Sequence, residues 1–177
     1  ISPTVLTNNV TVYLDASGAA SITTTDIDNG SSDNCSITTL VLDITGFDCN
    51  DLGTNTVTLT ATDVNSNSSS ATTVVTVVDN ISPTVLTNNV TVYLDASGAA
   101  SITTADIDNG SSDNCSITLS LDITSFDCND VGTNTVNLTA TDVNSNSSSA
   151  TAVVTVVDNI SPTVLTNNVT VYLDASG

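Results

Sequence analysis

Apolar and polar residues alternate with a period of two along much of this chain. Val10, Val12 and Leu14 share one face of a run whose other face carries Thr11 and Tyr13. Val57, Leu59 and Ala61 do the same between Thr56, Thr58, Thr60 and Thr62. Such alternation marks half-buried strands, and no stretch shows a helical period. Residues 10–14 read as a strand, Asp15-Ala-Ser-Gly18 as a turn and residues 19–24 as the returning strand of a hairpin. A polar stretch over residues 25–34 leads to a strand at about 36–42. An irregular segment around Phe47, Cys49 and Gly53 follows, then a strand at 54–62, a loop at 63–70 and a last strand at 71–78. Six or seven short strands separated by turn signals predict an all-β, antiparallel sandwich of immunoglobulin-like type.

The pattern repeats. ISPTVLTNNVTVYLDASGAASITT starts at Ile1 and again at Ile81, and its first eighteen residues return over 160–177. Repetition of this length defines the organisation: one immunoglobulin-like repeat over residues 1–80, a second over 81–159, and the start of a third at 160–177, arranged head to tail. A chain that stops inside a copy reads as a window cut from a longer array. If the copies continue along one axis, the first strand leaves the upstream end of a repeat and the last finishes at its downstream end. Strand parity then places both Asp-rich loops, 25–34 and 63–70, at the upstream pole. The connector Asp79-Asn80-Ile81-Ser82-Pro83 meets the same pole of the next copy.

Composition narrows the function. The chain has no Lys, Arg, His, Met or Trp, and its 19 acidic residues are all Asp, for a formal charge of −19. No basic patch exists for nucleic acid. A one-signed chain repels itself unless its charges are spread out, screened or bound to cations. With 39% hydrophobic residues in strict alternation, the chain nonetheless reads as folded. No apolar run reaches the ~18 residues of a membrane helix, so membrane insertion is not expected.

Two chemistries remain. The cysteines come as one pair per repeat, Cys35 with Cys49 and Cys115 with Cys128. With no His to complete a zinc site, they predict one disulfide within each module and an oxidising, extracellular compartment. The loop so closed, about fifteen residues, is worth roughly 3 kcal/mol on chain-entropy grounds. The second pair is one residue closer, as expected if the turn between the cysteines absorbs a deletion.

Calcium is the other expectation. It takes six to eight oxygen ligands, which Asp and Asn side chains and carbonyls on loops supply. The candidate ligands are Asp79, Asn80, Asp106, Asp108, Asp113 and Asp142 at the pole of the second repeat. Their equivalents are Asp26, Asp28, Asp33, Asp63, Asp158 and Asn159. The same residue types also form ordinary solvated turns through local hydrogen bonds. No organic cofactor is expected.

Catalysis lacks raw material, since a Ser nucleophile has no His, Lys or Glu as a base. Isopeptide crosslinks need Lys. The Thr rows read as good strand formers on a wet face and the Asn-x-Ser/Thr triplets as chance.

The opening Ile-Ser-Pro-Thr-Val, the Asn-Val-Thr-Val-Tyr strand, Asp33-Asn34-Cys35 and the run Gly53-Thr-Asn-Thr-Val-Thr-Leu-Thr-Ala-Thr-Asp63 resemble the HYR family (the hyaline repeat). The nearest resemblance is to the repeats of giant gliding-motility adhesins on Bacteroidetes cell surfaces. It implies an extracellular immunoglobulin-like module in cell adhesion or fibre building, exported by the type IX route. Asp79-Asn80-x-x-Pro83 is also similar to the calcium-rigidified linkers of cadherins. The expected function is a non-enzymatic spacer or stalk of a bacterial surface adhesin or filament. Its expected partners are further copies of the repeat, other filament subunits, or a surface or polysaccharide target reached through another domain. The alternative is a self-assembling filament or surface-layer protein with lateral or strand-donating contacts.

Overall fold

A computed structural model describes residues 1–177. In the first copy the elements are β1 (Val10–Tyr13), β2 (Ala19–Ser21), the one-turn helix α1 (Thr24–Ile27), β3 (Ile37–Leu42), β4 (Gly46–Asp48), β5 (Gly53–Asp63) and β6 (Ser68–Val78). In the second they are β7 (Val90–Tyr93), β8 (Ala99–Ser101), α2 (Thr104–Ile107), β9 (Ile117–Leu121), β10 (Ser125–Asp127), β11 (Gly132–Asp142) and β12 (Ser147–Val157). Each copy is an immunoglobulin-type β-sandwich. One sheet has the order β1-β6-β5-β3 and the other pairs β2 with β4; the second copy repeats this as β7-β12-β11-β9 and β10 with β8.

All pairings are antiparallel except β1 with β6 and β7 with β12, which are parallel. The expected hairpin of residues 10–14 with 19–24 does not form, because β1 and β2 belong to different sheets. After Leu14, whose side chain enters the core, the Asp15 carboxylate accepts hydrogen bonds from the Ser17 and Ala19 amides and the Ser17 hydroxyl. Gly18, at φ 76°, then turns the chain across to the opposite sheet. A non-glycine residue is strained there.

The sandwich fills from both sheets. Leu14, Ile22, Ile27, Leu42, Phe47, Val57, Leu59, Val75 and Val77 form one core; a second cluster forms around Ile107, Phe126, Val136 and Leu138. Val57, Leu59 and Ala61 face inward and the threonines between them outward, following the sequence alternation. The inward parity continues to Asp63 and Asp142, which are buried although charged.

Two local expectations change. The stretch expected as loop begins with a helical turn: the Thr23 amide and hydroxyl both donate to Asp26 Oδ2 at 2.7 Å, and Thr103 does the same to Asp106. This closure drives Ile27 and Ile107 fully into the cores. Nor does a turn absorb the extra residue of the first copy. It forms a bulge between Ile37 and Thr39, where the Thr38 hydroxyl donates to the Thr62 and Asp63 carbonyls. Residues 160–177 are exposed and carry no strand, although they repeat the sequence that forms β1 and β7.

Two outcomes follow from the packing and the turns. Ile107→Ala should lower unfolding stability by about 2–5 kcal/mol in denaturant titration, the range for a buried Ile that leaves a cavity. The Thr103 hydroxyl and amide hold the Asp106 carboxyl below its ordinary value of 3.8. The folded value lies below the unfolded one, so the stabilisation is complete above pH 3.8 and lost as pH falls through the folded value. Asp106→Asn should therefore lower the melting midpoint at pH 7, and the gap to wild type should close as the pH is taken below 3.8.

Candidate functional site at the joint between the modules

The cysteine positions follow from strand direction. β5 runs antiparallel to both β3 and β6, and β4 runs antiparallel to β2. β3 and β4 thus run the same way in opposite sheets, with residues 43–45 crossing between them. Cys35 lies two residues before Ile37, which pairs with Asp63, the last residue of β5, at the upstream pole of the module. Cys49 follows Asp48, which pairs with Ala19, and leads to Gly53, which pairs with Val77 at the downstream end. The two cysteines of one module are therefore separated by about the length of the eleven-residue β5, some ~35 Å. A disulfide needs Cα atoms within ~7 Å.

The predicted pairs Cys35 with Cys49 and Cys115 with Cys128 are accordingly not formed. The bond joins Cys49 of the first module to Cys115 of the second, with Cα atoms 5.7 Å apart and a sequence separation of 66. Cys35 and Cys128 are free and exposed. A disulfide within one module requires the chain to double back between its cysteines, and the crossover between sheets removes that return.

Around this bond the second module inserts the Asp113-Asn114-Cys115 loop into the downstream end of the first. The Asn114 amide donates to the Asp15 carbonyl at 3.2 Å and to Asp79 Oδ1 at 3.1 Å. The Asn114 carbonyl passes so close to Gly18 that a Cβ there would lie 2.7 Å from it, and 2.9 Å from the Cys49 sulfur. Only glycine fits. Cys115 packs against the first module's core. Asn144 and Asn146, on the loop between β11 and β12, clasp the linker by donating to the Asp79 carbonyl at 3.0 and 3.1 Å.

Three carboxylates meet in this joint. Single oxygens of Asp79, Asp113 and Asp142 lie within 4.8 Å of one another. Each comes from a different segment: the linker, the loop before β9 and the end of β11. Asp142 is held by the Asn144 and Asn146 amides and the Asn146 side chain, all at 2.8 Å. Asp113 Oδ2 accepts from the Cys115 amide, and Asp79 Oδ1 accepts from the Ile81 amide and Asn114. The remaining oxygens, Asp79 Oδ2, Asp113 Oδ1 and Asn114 Oδ1, are buried without any hydrogen-bond partner. Buried oxygens are almost always paired, so three orphans at one spot need a partner. At an effective dielectric of ~20, like charges at this spacing repel by about 3–4 kcal/mol per pair. The chain has no Lys, Arg or His to offset this. The group can hold a metal ion, and its donors are all hard oxygens.

The other candidate ligands lie apart from this group. Asp106 and Asp26 close their helical turns. Asp108 and Asp28 accept from the Ser111 and Ser31 amides, and their carboxyls are held below the ordinary range chiefly by those serine side chains. Asn80 and Asn159 are exposed. Asp33 and Asp63 repeat the settings of Asp113 and Asp142, and Asp158 repeats that of Asp79, but none of them faces a neighbouring module. Sequence reasoning missed Asn114, Gly18 and the Asn144/Asn146 clasp. The one available signal was the odd Asn in a Thr/Ser-rich context, which marks turns equally well.

No family model and no curated protein sequence matches the chain. Among solved structures it is similar to extracellular cadherin domains. EC1–4 of Drosophila N-cadherin aligns with a TM-score of 0.47 at 16% identity, covering 90% of this chain and 50% of that one. EC1–2 of human protocadherin-24 aligns at 0.45 and 12%, covering 90% of this chain and 100% of that one. Extracellular cadherin domains 1–4 of protocadherin gamma B7 align at 0.38 and 14%, covering 89% of this chain and 51% of that one. This chain therefore spans about half the length of the first and third.

The tight seat of the loop gives a direct test. Gly18→Ala adds a methyl where Asn114 and Cys49 leave no room and strains a left-handed backbone. Peptide mapping after oxidative refolding should then show a clear fall in the fraction of chains with the Cys49–Cys115 bond.

Proposed function

We propose that this chain is a non-enzymatic spacer from an extracellular adhesive stalk, in which tandem sandwich modules over 1–80 and 81–159 are locked together at their joints by a disulfide and a bound calcium ion. The observation that carries this reading is the joint itself: a covalent bond between modules beside three buried carboxylates with orphaned oxygens. A disulfide supports an oxidising, extracellular setting. No helix is long and apolar enough to cross a membrane.

The mechanism is mechanical. A flexible five-residue connector would let two modules swing freely. The disulfide fixes one point of contact, the Asn114 amide a second, and the Asn144/Asn146 clasp a third. A calcium ion held by Asp79, Asp113, Asp142 and the Asn114 side-chain oxygen Oδ1 would supply the missing charge and tie the linker to two loops of the second module. The joint then transmits load along the chain and holds whatever it carries at a distance. We further infer a bacterial surface setting of the HYR and gliding-motility type, with export by the type IX route. The opening Ile-Ser-Pro-Thr-Val and the Asp-Asn-Cys triplet support it. The lack of His, Lys, Arg and Glu supports a role without catalysis.

The test is a melt of the 177-residue chain with calcium and with chelator, for wild type and Asp79→Asn. At calcium a hundredfold above its Kd, wild type should gain about 2.7 kcal/mol. Asp79→Asn should cross over, melting above wild type in chelator, where it relieves repulsion, and below it in calcium. Identical wild-type midpoints in both conditions, with no calcium heat in calorimetry, would overturn the cation reading. Small-angle scattering of the same chain should give an elongated particle that becomes more flexible on reduction. A compact particle would argue against the stalk.

A further inference from the structure

The disulfide and the carboxylate cluster of the joint share one short loop. Asp113, Asn114 and Cys115 are consecutive, and the Cys115 amide donates to Asp113 Oδ2 at 3.2 Å. The bond from Cys115 to Cys49 holds this loop against the first module, with the Asn114 backbone oxygen 3.4 Å from the Cys49 sulfur. Two of the three orphaned oxygens, Asp113 Oδ1 and Asn114 Oδ1, therefore ride on the segment that the bond anchors. The third, Asp79 Oδ2, belongs to the linker, which leaves the first module directly after β6. Asp142 completes the cluster from the end of β11.

Apart from the bond and the packing of Cys115, the loop is tied to the linker and the first module only by the Asn114 side-chain amide. That amide lies 3.2 Å from the Asp15 carbonyl and 3.1 Å from Asp79 Oδ1. Against these two hydrogen bonds stands the repulsion of three carboxylates whose oxygens lie within 4.8 Å of one another. Asp79 and Asp142 are buried, and the chain has no basic side chain to offset them. Beside Asp113 and Asn114 lies a cavity of about 250 Å³, lined also by Ser82, Thr84 and Ser112. It leaves room for the waters that bring an ion with four protein oxygens up to the six to eight ligands of calcium.

Given the bound calcium proposed above, we infer that the Cys49–Cys115 bond and the cation are coupled: reduction of the bond weakens the site, and the bound ion protects the bond from reduction. In the oxidised chain the closed joint is enforced, and the ion meets a prebuilt site. In the reduced chain the carboxylates drive the loop away from the linker and the joint is closed only part of the time. The apparent Kd then rises by the reciprocal of the closed fraction. Linkage makes the effect reciprocal. The factor by which reduction raises the Kd is the factor by which saturating calcium lowers the equilibrium constant for reduction. The reductant is a dithiol. It delivers two electrons and two protons to the Cys49 and Cys115 sulfurs as their bond breaks, and is itself oxidised to a cyclic disulfide. Without the ion the same repulsion favours reduction, so a joint drained of calcium is the one most readily unlocked.

The experiment uses the full 177-residue chain with the exposed Cys35 and Cys128 thiols capped by iodoacetamide, which leaves Cys49–Cys115 as the one redox couple. Each sandwich core closes without a disulfide of its own, so both redox states stay folded. Calorimetry with calcium chloride should give a Kd about 5–150-fold higher for the reduced chain. Redox titration against dithiothreitol, read by mass spectrometry of trapped thiols, should give a more negative midpoint in calcium than in chelator. The shift should match the calorimetric factor, with each tenfold worth about 30 mV. Asp79→Asn should abolish the shift and, in chelator, make the midpoint more negative than that of wild type, because one repelling charge is gone. Sodium chloride at matched ionic strength should not reproduce the effect of calcium. Equal Kd values in the two redox states, with a midpoint indifferent to calcium, overturn the coupling while the measured heat upholds the cation reading. No heat in either state overturns both.

Discussion

Two consecutive strands of each module run in the same direction, and most of what distinguishes this molecule depends on it. β3 and β4 lie in opposite sheets, linked by a short crossover that does not reverse the chain. Cys35 and Cys49 bracket this passage and so emerge at opposite poles. A pair of cysteines that would close a loop inside a conventional hairpin becomes one attachment point at each end of the module. The disulfide then constrains the relation between modules more than the fold of either. Closing a loop of 66 residues is worth roughly 4 kcal/mol on chain-entropy grounds, and that restriction falls on the joint.

Electrostatics shape the same joint. With 19 carboxylates and no basic side chain, the chain has no ion pairs with which to satisfy its charges. Most Asp side chains are satisfied locally, by the amide and hydroxyl groups one to four residues away that build the turns and helical caps. Asp15, Asp26, Asp63, Asp95 and Asp106 are all held below the ordinary carboxylate range in this way. The exception is where two modules meet. There Asp79 and Asp113 each keep an oxygen with no donor, next to the similarly unpaired Asn114. Charge that is dispersed along each module is concentrated at its junction with the next, which makes the junction the place where a divalent cation has most to offer.

Repetition turns this local device into a directional one. A module that presents an Asp-Asn-Cys loop at one end and a glycine-floored cleft with a cysteine at the other has unlike ends that fit each other. Within this chain the contact is accordingly between unlike surfaces, the downstream end of one module and the upstream loop of the next. The contacts of the joint come from a few residues that recur in each copy: Gly18 or Gly98, the Asp15 or Asp95 turn, and the Asn-Cys pair.

The alternation Val57, Leu59, Ala61 and its copies carried the strands and the inward faces, because a period of two leaves only one way to bury the apolar residues. The same alternation extends in the structure to Asp63 and Asp142, which the sequence reading placed at the start of a loop and which strand pairing instead buries. The all-β class, the two copies and the gathering of Asp-rich loops near the connector followed from period, repetition and parity. The choice of sheet for each strand did not, because residues 10–14 and 19–24 look like a hairpin to any local rule. Only packing, with Leu14 turned into the core and Gly18 turning the chain, sends them to different sheets. The pairing of Cys49 with Cys115, the selection of Asp79, Asp113 and Asp142 over Asp106 and Asp108, and the role of Asn114 were likewise decided by tertiary structure. Each depends on distances between segments far apart in the chain, and spacing along one strand carries no information about which pole of which module two side chains will share.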